Sequence, residues 1–167
     1  MGDTKAKSIY DFTVTNLNGN DVNLSVYKGT VCLILNFSTR DPTCEKVFSM
    51  LAPLYKKFHN ETKQDLNILL FPSFQFGAKE STSDILSFFE KNNELLVGDV
   101  FAEIEVNGSK CIDLYKFLKQ KKPGNCGGFI NSNFTIFLTD RNGIPVERLG
   151  ASVHPYLIEE LIEQYCG

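Results

Sequence analysis

Val31-Cys32-Leu33-Ile34-Leu35-Asn36-Phe37 is a run of seven residues in which only Asn36 is polar. A half-exposed strand would alternate, so an unbroken run of this length predicts a central β-strand covered on both faces. Just beyond it, Arg40-Asp41-Pro42-Thr43 reads as a helix start. Asp41 suits the N-cap, Pro42 the first turn, and Glu45 the positive end of the dipole. Val47, Phe48, Leu51, Leu54, Tyr55 and Phe58 then recur at helical spacing and form one buried stripe, with a kink predicted at Pro53. A second apolar run, Leu66 to Phe71, ends at Pro72. Strand, helix and strand in this order predict a right-handed parallel crossover.

Outward from this unit the chain reads as further short elements. Residues 9–15 and 22–24 predict a hairpin turned by Asn18-Gly19-Asn20. Residues 83–92 predict an amphipathic helix, followed by a loose segment to Phe101. A helix over Leu114 to Lys122 is stopped by Pro123-Gly124. After a Gly-rich loop, Asn133 to Thr139 and Val146 to Leu149 pair across Asp140-Arg141-Asn142-Gly143, and Pro155 to Tyr165 closes the chain as a helix. The expectation is an α/β fold, a mixed central sheet flanked by helices as in thioredoxin-like domains, within one domain spanning 1–167.

Composition narrows the function classes. A net charge of −3 over 167 residues argues against a nucleic-acid partner. No apolar run is long enough for an integral membrane segment. Five cysteines (Cys32, Cys44, Cys111, Cys126, Cys166), odd in number and irregularly spaced, are expected as reduced thiols in a cytoplasmic setting. With only His59 and His154 beside them, both read as surface residues, no metal-ligand spacing appears.

Several blocks, in order, resemble the glutathione peroxidases over nearly the whole chain. They are Ile9-Tyr10-Asp11-Phe12, Gly19-Asn20-Asp21-Val22 and Tyr27-Lys28-Gly29 at the start. Phe71-Pro72 with Gln75-Phe76-Gly77, Val106-Asn107-Gly108 and Leu114 to Lys119 follow, then Asn133-Phe134-Thr135 and Asp140-Arg141-Asn142-Gly143. The resemblance implies thiol- or selenol-dependent reduction of hydrogen peroxide and lipid hydroperoxides. No bound cofactor is implied, and glutathione or a thioredoxin-type protein would be the reductant. The short loop from Pro123 to Ile130 resembles the monomeric members, so a monomer is expected.

Carried over residue by residue, the family's tetrad keeps its glutamine at Gln75 and its asparagine at Asn133. The tryptophan position is Ser132, and the nucleophile position, five residues after Asn36, is Asp41. Peroxide reduction needs a thiolate that becomes a sulfenic acid, and an aspartate at a helix start caps but does not do this. Two readings therefore stand. In one, the family reaction is impaired or lost and the domain serves a non-catalytic purpose. In the other, Cys44 is a relocated thiol, with Gln75 and Asn133 as hydrogen-bond donors and Cys126, in the loop the resemblance puts near the site, as its resolving thiol. Lys116, Lys119, Lys121 and Lys122 offer a surface for anionic lipid headgroups or an acidic donor such as glutathione, but the favoured reading is a solvated helix end suited to the C-terminal dipole.

Overall fold

A computed structural model describes residues 5–61, 65–125 and 127–167. The apolar run forms β3 (Val31–Phe37), every residue of it buried. Two small strands precede it, β1 (Thr13–Thr15) and β2 (Asp21–Asn23), paired antiparallel as a separate hairpin. Helix α1 (Cys44–Tyr55) leads to β4 (Leu66–Pro72), which lies parallel to β3 in register from Val31 opposite Leu66 to Phe37 opposite Pro72. Then come α2 (Thr82–Lys91), β5 (Asp99–Val100), α3 (Asp113–Lys121), β6 (Ile136–Thr139), β7 (Pro145–Leu149) and α4 (Pro155–Cys166). The main sheet runs β5-β4-β3-β6-β7, with β3, β4 and β5 parallel and β6 and β7 antiparallel.

Strand β3 is apolar on both faces because each face meets a different core. Val31, Leu33, Leu35 and Phe37 pack with Val47, Phe48 and Leu51 of α1, Ile85 and Phe89 of α2, and Ile158 and Ile162 of α4. Cys32 and Ile34 face the other way, toward Leu114, Tyr115, Phe117 and Leu118 of α3 and toward Ile9, Val14 and Leu24 of the N-terminal segment. Side chains two apart share a face of a strand, so seven residues supply both layers at once. Among the described residues no helix is long and apolar enough to cross a membrane.

Three sequence expectations change here. The segment before Phe101 is not wholly loose: Asp99 and Val100 pair with Leu69 and Leu70 and extend the sheet as its edge. Gly98 makes this approach feasible, since a Cβ there would lie 2.1 Å from the Ile68 carbonyl oxygen. Helix α1 begins at Cys44 rather than at Pro42, and it runs past Pro53 before widening into a π-helical turn over Lys56–Glu61. His59 is half-buried instead of on the surface. Its ring stacks on Tyr55 at 4.4 Å and its Nδ1 lies 2.7 Å from the Leu66 carbonyl.

Candidate functional site

The parallel strands β3 and β4 end side by side, and the chain entering β6 passes the same end. Two bonds fasten that entry to β3: the Phe134 N–H donates to the Asn36 carbonyl at 2.7 Å, and the Asn36 side-chain amide donates to the Ser132 carbonyl at 3.2 Å. Phe134 adopts φ +63, in the left-handed region that a bulky residue enters only when its surroundings force it. Its fully buried ring, packed edge-on against Phe48 at 5.9 Å, supplies that force. The outcome is that Asn133, 4% exposed, points its amide toward the loop after β3.

Asp41 receives it. The Asn133 Nδ2 donates to Asp41 Oδ2 at 3.1 Å, while Asp41 Oδ1 accepts from the Thr43 N–H at 2.9 Å and the Thr43 hydroxyl at 2.7 Å. These bonds make Asp41 the cap of a tight turn just before α1, closed by the Cys44 N–H donating to the Asp41 carbonyl at 3.0 Å. Thr43, the residue at the N-cap of α1, makes no side-chain capping bond. Partial burial works to raise the Asp41 carboxyl. The Thr43 hydroxyl, the Thr43 N–H and the Asn133 amide outweigh it and hold the group below its ordinary range. Asp41 is therefore an anion bonded at both oxygens.

Gln75 does not share this cluster of bonds. Its Oε1 accepts from the N–H groups of Val106 (2.7 Å) and Asn107 (3.1 Å), and its Nε2 donates to the Asn107 carbonyl at 3.0 Å. Both ends of the amide are occupied in tying the loop after β4 to the Val106-Asn107-Gly108 turn. Asn107 passes the connection on, donating to the Ile130 carbonyl at 2.6 Å and accepting from the Ile130 N–H at 3.0 Å. Ser132 is exposed, and its hydroxyl makes only a long 3.5 Å contact with Asn131.

Cys44 lies at the first position of α1 with 1% exposure, inside the core shared by α1 and β3. Burial, then the charges of Glu80, Asp41 and Glu45, push its thiol up to about 12. Burial also raises Cys32, to about 12, and Cys166, to about 11, and it raises Cys111 against the opposing Lys119. Cys126, the resolving thiol of the second reading, lies outside the described residues.

One contributor carries no signal in the sequence. Glu80, 4% exposed, accepts from the Ser38 hydroxyl at 2.9 Å, the Thr39 N–H at 3.1 Å and the Thr39 hydroxyl, and so clamps the loop that presents Asp41. It stands about forty residues from its partners, and no local spacing announces it. Lys119 also departs from expectation. It is 7% exposed and donates to the Val106 carbonyl and to Asn107 Oδ1, so it belongs to the interior and not to a solvated helix end.

Comparison with known proteins agrees with this architecture. The family model described as glutathione peroxidase matches residues 9–119. A glutathione peroxidase of Schistosoma mansoni is 39% identical over 163 residues, covering 94% of each chain. A probable phospholipid hydroperoxide glutathione peroxidase of Nicotiana sylvestris is 37% identical over 169 residues, covering 98% of this chain and 96% of its own. The crystal structure of Trgpx in its apo form superposes with a TM-score of 0.80 at 30% identity, covering 97% of both chains. With a mixed sheet between helices, a family match over two-thirds of its length and relatives alike from end to end, the chain belongs to the glutathione peroxidase family, whose reaction is hydroperoxide reduction, and has that family's thioredoxin-like fold.

Proposed function

We propose that this member of the family does not turn over hydroperoxide and persists as a non-catalytic domain, because Asp41 stands where the peroxidatic thiol belongs. The observation that carries the reading is the Asn133 amide bonded at 3.1 Å to the Asp41 carboxylate. In the family reaction a thiolate attacks one peroxide oxygen, the O–O bond breaks, and sulfur gives up two electrons to become a sulfenic acid while water or an alcohol leaves. A carboxylate in that position has no such oxidation to offer. The donor that would stabilise the reacting sulfur instead holds a permanent anion.

Cys44 supports no relocated reaction. It is sealed in the apolar core, its thiol is pushed up to about 12, and three carboxylates nearby oppose its ionisation. The named Nicotiana relative suggests phospholipid hydroperoxides as the molecules an ancestral site took, with a thiol donor as reductant. The odd number and irregular spacing of the cysteines, and the short Pro123 to Ile130 loop, support a cytoplasmic monomer.

The test is consumption of hydrogen peroxide and of a phospholipid hydroperoxide, with glutathione or thioredoxin as reductant, by the parent, Cys44→Ser and Asp41→Cys. Parent and Cys44→Ser should be equally inactive, and Asp41→Cys should gain turnover. Turnover by the parent that disappears in Cys44→Ser would overturn the proposal.

A further inference from the structure

Lys119 is a cation in the interior without an anion. Its ammonium donates to two neutral acceptors, the Val106 carbonyl and, at 3.4 Å, Asn107 Oδ1, and lies beside the Cys111 thiol, which is neutral too. Among the described residues no carboxylate lies within ion-pair distance of it. Buried charges are ordinarily paired, because carbonyl dipoles offset only part of the lost hydration. Lys119 also lines a cavity of about 460 Å³, within the size range of small-molecule sites.

The other walls say what would fill it. Gly127 (φ +62) and Gly128 (φ +95) bring bare backbone to the opening, and a Cβ on Gly128 would sit 3.6 Å from the Lys119 Cβ. Phe129 adds an aromatic face that is 53% exposed. Lys116 is a second cation at the cavity, but it is already 3.6 Å from Asp113. The charge without a carboxylate partner is therefore one positive unit, on a residue that lines the cavity together with the apolar Phe129 ring. A phosphate dianion matches neither the single charge nor the ring.

We propose that this cavity binds a small organic monocarboxylate, its carboxylate on Lys119 and its apolar body against Phe129. The site is separate from Asp41 and Asn133 and does not depend on whether the chain turns over hydroperoxide.

Hexanoate is the probe, titrated into the full ¹⁵N-labelled chain, with hexanol and inorganic phosphate as parallel arms. Hexanoate should shift the amide signals of Gly127, Gly128 and Phe129 saturably, whereas hexanol and phosphate should leave them essentially in place. Lys119→Met should weaken hexanoate about tenfold or more, the scale of a lost charge-assisted bond. If that variant fails to fold, Phe129→Ala decides, because its side chain is largely in solvent; it should weaken hexanoate several-fold while the fold stays intact. No shift with hexanoate overturns the site. Equal shifts with hexanol overturn the role of the charge, and equal shifts with phosphate overturn the role of the apolar wall. Unchanged hexanoate affinity in Phe129→Ala overturns the proposed pose.

Discussion

The sharpest consequence of the structure is how slowly Cys44 should react. At about pH 7 a thiol titrating near 12 is ionised in roughly one molecule in 10⁵, whereas at its ordinary 9.0 it is ionised in roughly one in 10². The thiolate is the nucleophile, so the fold lowers the reactive population about 10³-fold before access is considered. With 1% exposure, access lowers the rate of attack within the closed fold again, so that route should be protected by about 10³ or more. Pulsed alkylation with iodoacetamide and peptide mapping measures this directly, comparing the native chain with the chain in guanidinium. The pH dependence identifies the route. A native rate still climbing above about pH 9 marks attack within the closed fold, while a plateau there marks reaction through local opening. Native labelling of Cys44 within about tenfold of the unfolded rate would falsify the burial argument. Sulfenic acid at Cys44 under micromolar peroxide would go further and restore the relocated-thiol reading.

Three further outcomes follow from contacts near the site. Glu80→Ala leaves the Ser38 and Thr39 donors without their buried carboxylate and should cost about 2–4 kcal/mol in urea unfolding; a loss under about 0.5 kcal/mol would mean the clamp is dispensable. The Asp41 carboxyl is depressed in the folded state, so its stabilisation is full above its unfolded value of about 3.8 and is lost as pH falls through the lower folded value. The parent should therefore exceed Asp41→Asn in stability at neutral pH, with the gap closing in acid; a gap that widens on acidification would reverse the sign. Gly98→Ala drives a Cβ into the Ile68 carbonyl and should destabilise by about 2–3 kcal/mol, with hydrogen exchange accelerated first at Phe101, whose N–H donates to the Leu70 carbonyl.

What the sequence conveyed was the periodic part of the fold. The unbroken run at Val31–Phe37 announced a strand between two cores, and the stripe from Val47 to Phe58 announced the face of α1. Strand β5 escaped because two residues held by an edge pairing have no period to detect, and what permits the pairing is the missing side chain of Gly98. At the site, the resemblance marked Asp41 and Asn133, and the structure joins them across 92 positions. It did not reveal that Gln75 spends both ends of its amide on the 106–107 backbone, since bonding to main chain leaves no mark in side-chain identity. Lys119 was read with its helix end because charge usually means surface, and only the packing of the Gly-rich loop over α3 shows otherwise.

On the proposed reading, Asp41 gives a structural use to donors that a peroxidatic site would use kinetically. A peroxidatic site keeps hydrogen-bond donors uncommitted in the resting state, so that they can meet charge developing on sulfur and oxygen. Here the Thr43 N–H, the Thr43 hydroxyl and the Asn133 amide are satisfied by a carboxylate that needs no reaction to become charged. The same donors that would lower a transition state lower the energy of the fold. The loop is held by the Glu80 bonds to Ser38 and Thr39, and Phe134, next to Asn133, adopts a positive φ, although the residue the loop presents cannot be oxidised to a sulfenic acid. Strain at Phe134 and a buried carboxylate at Glu80 are costs that a fold retains only while something depends on the geometry they enforce. In this chain the geometry they enforce includes the turn in which Asp41 is bonded at both oxygens.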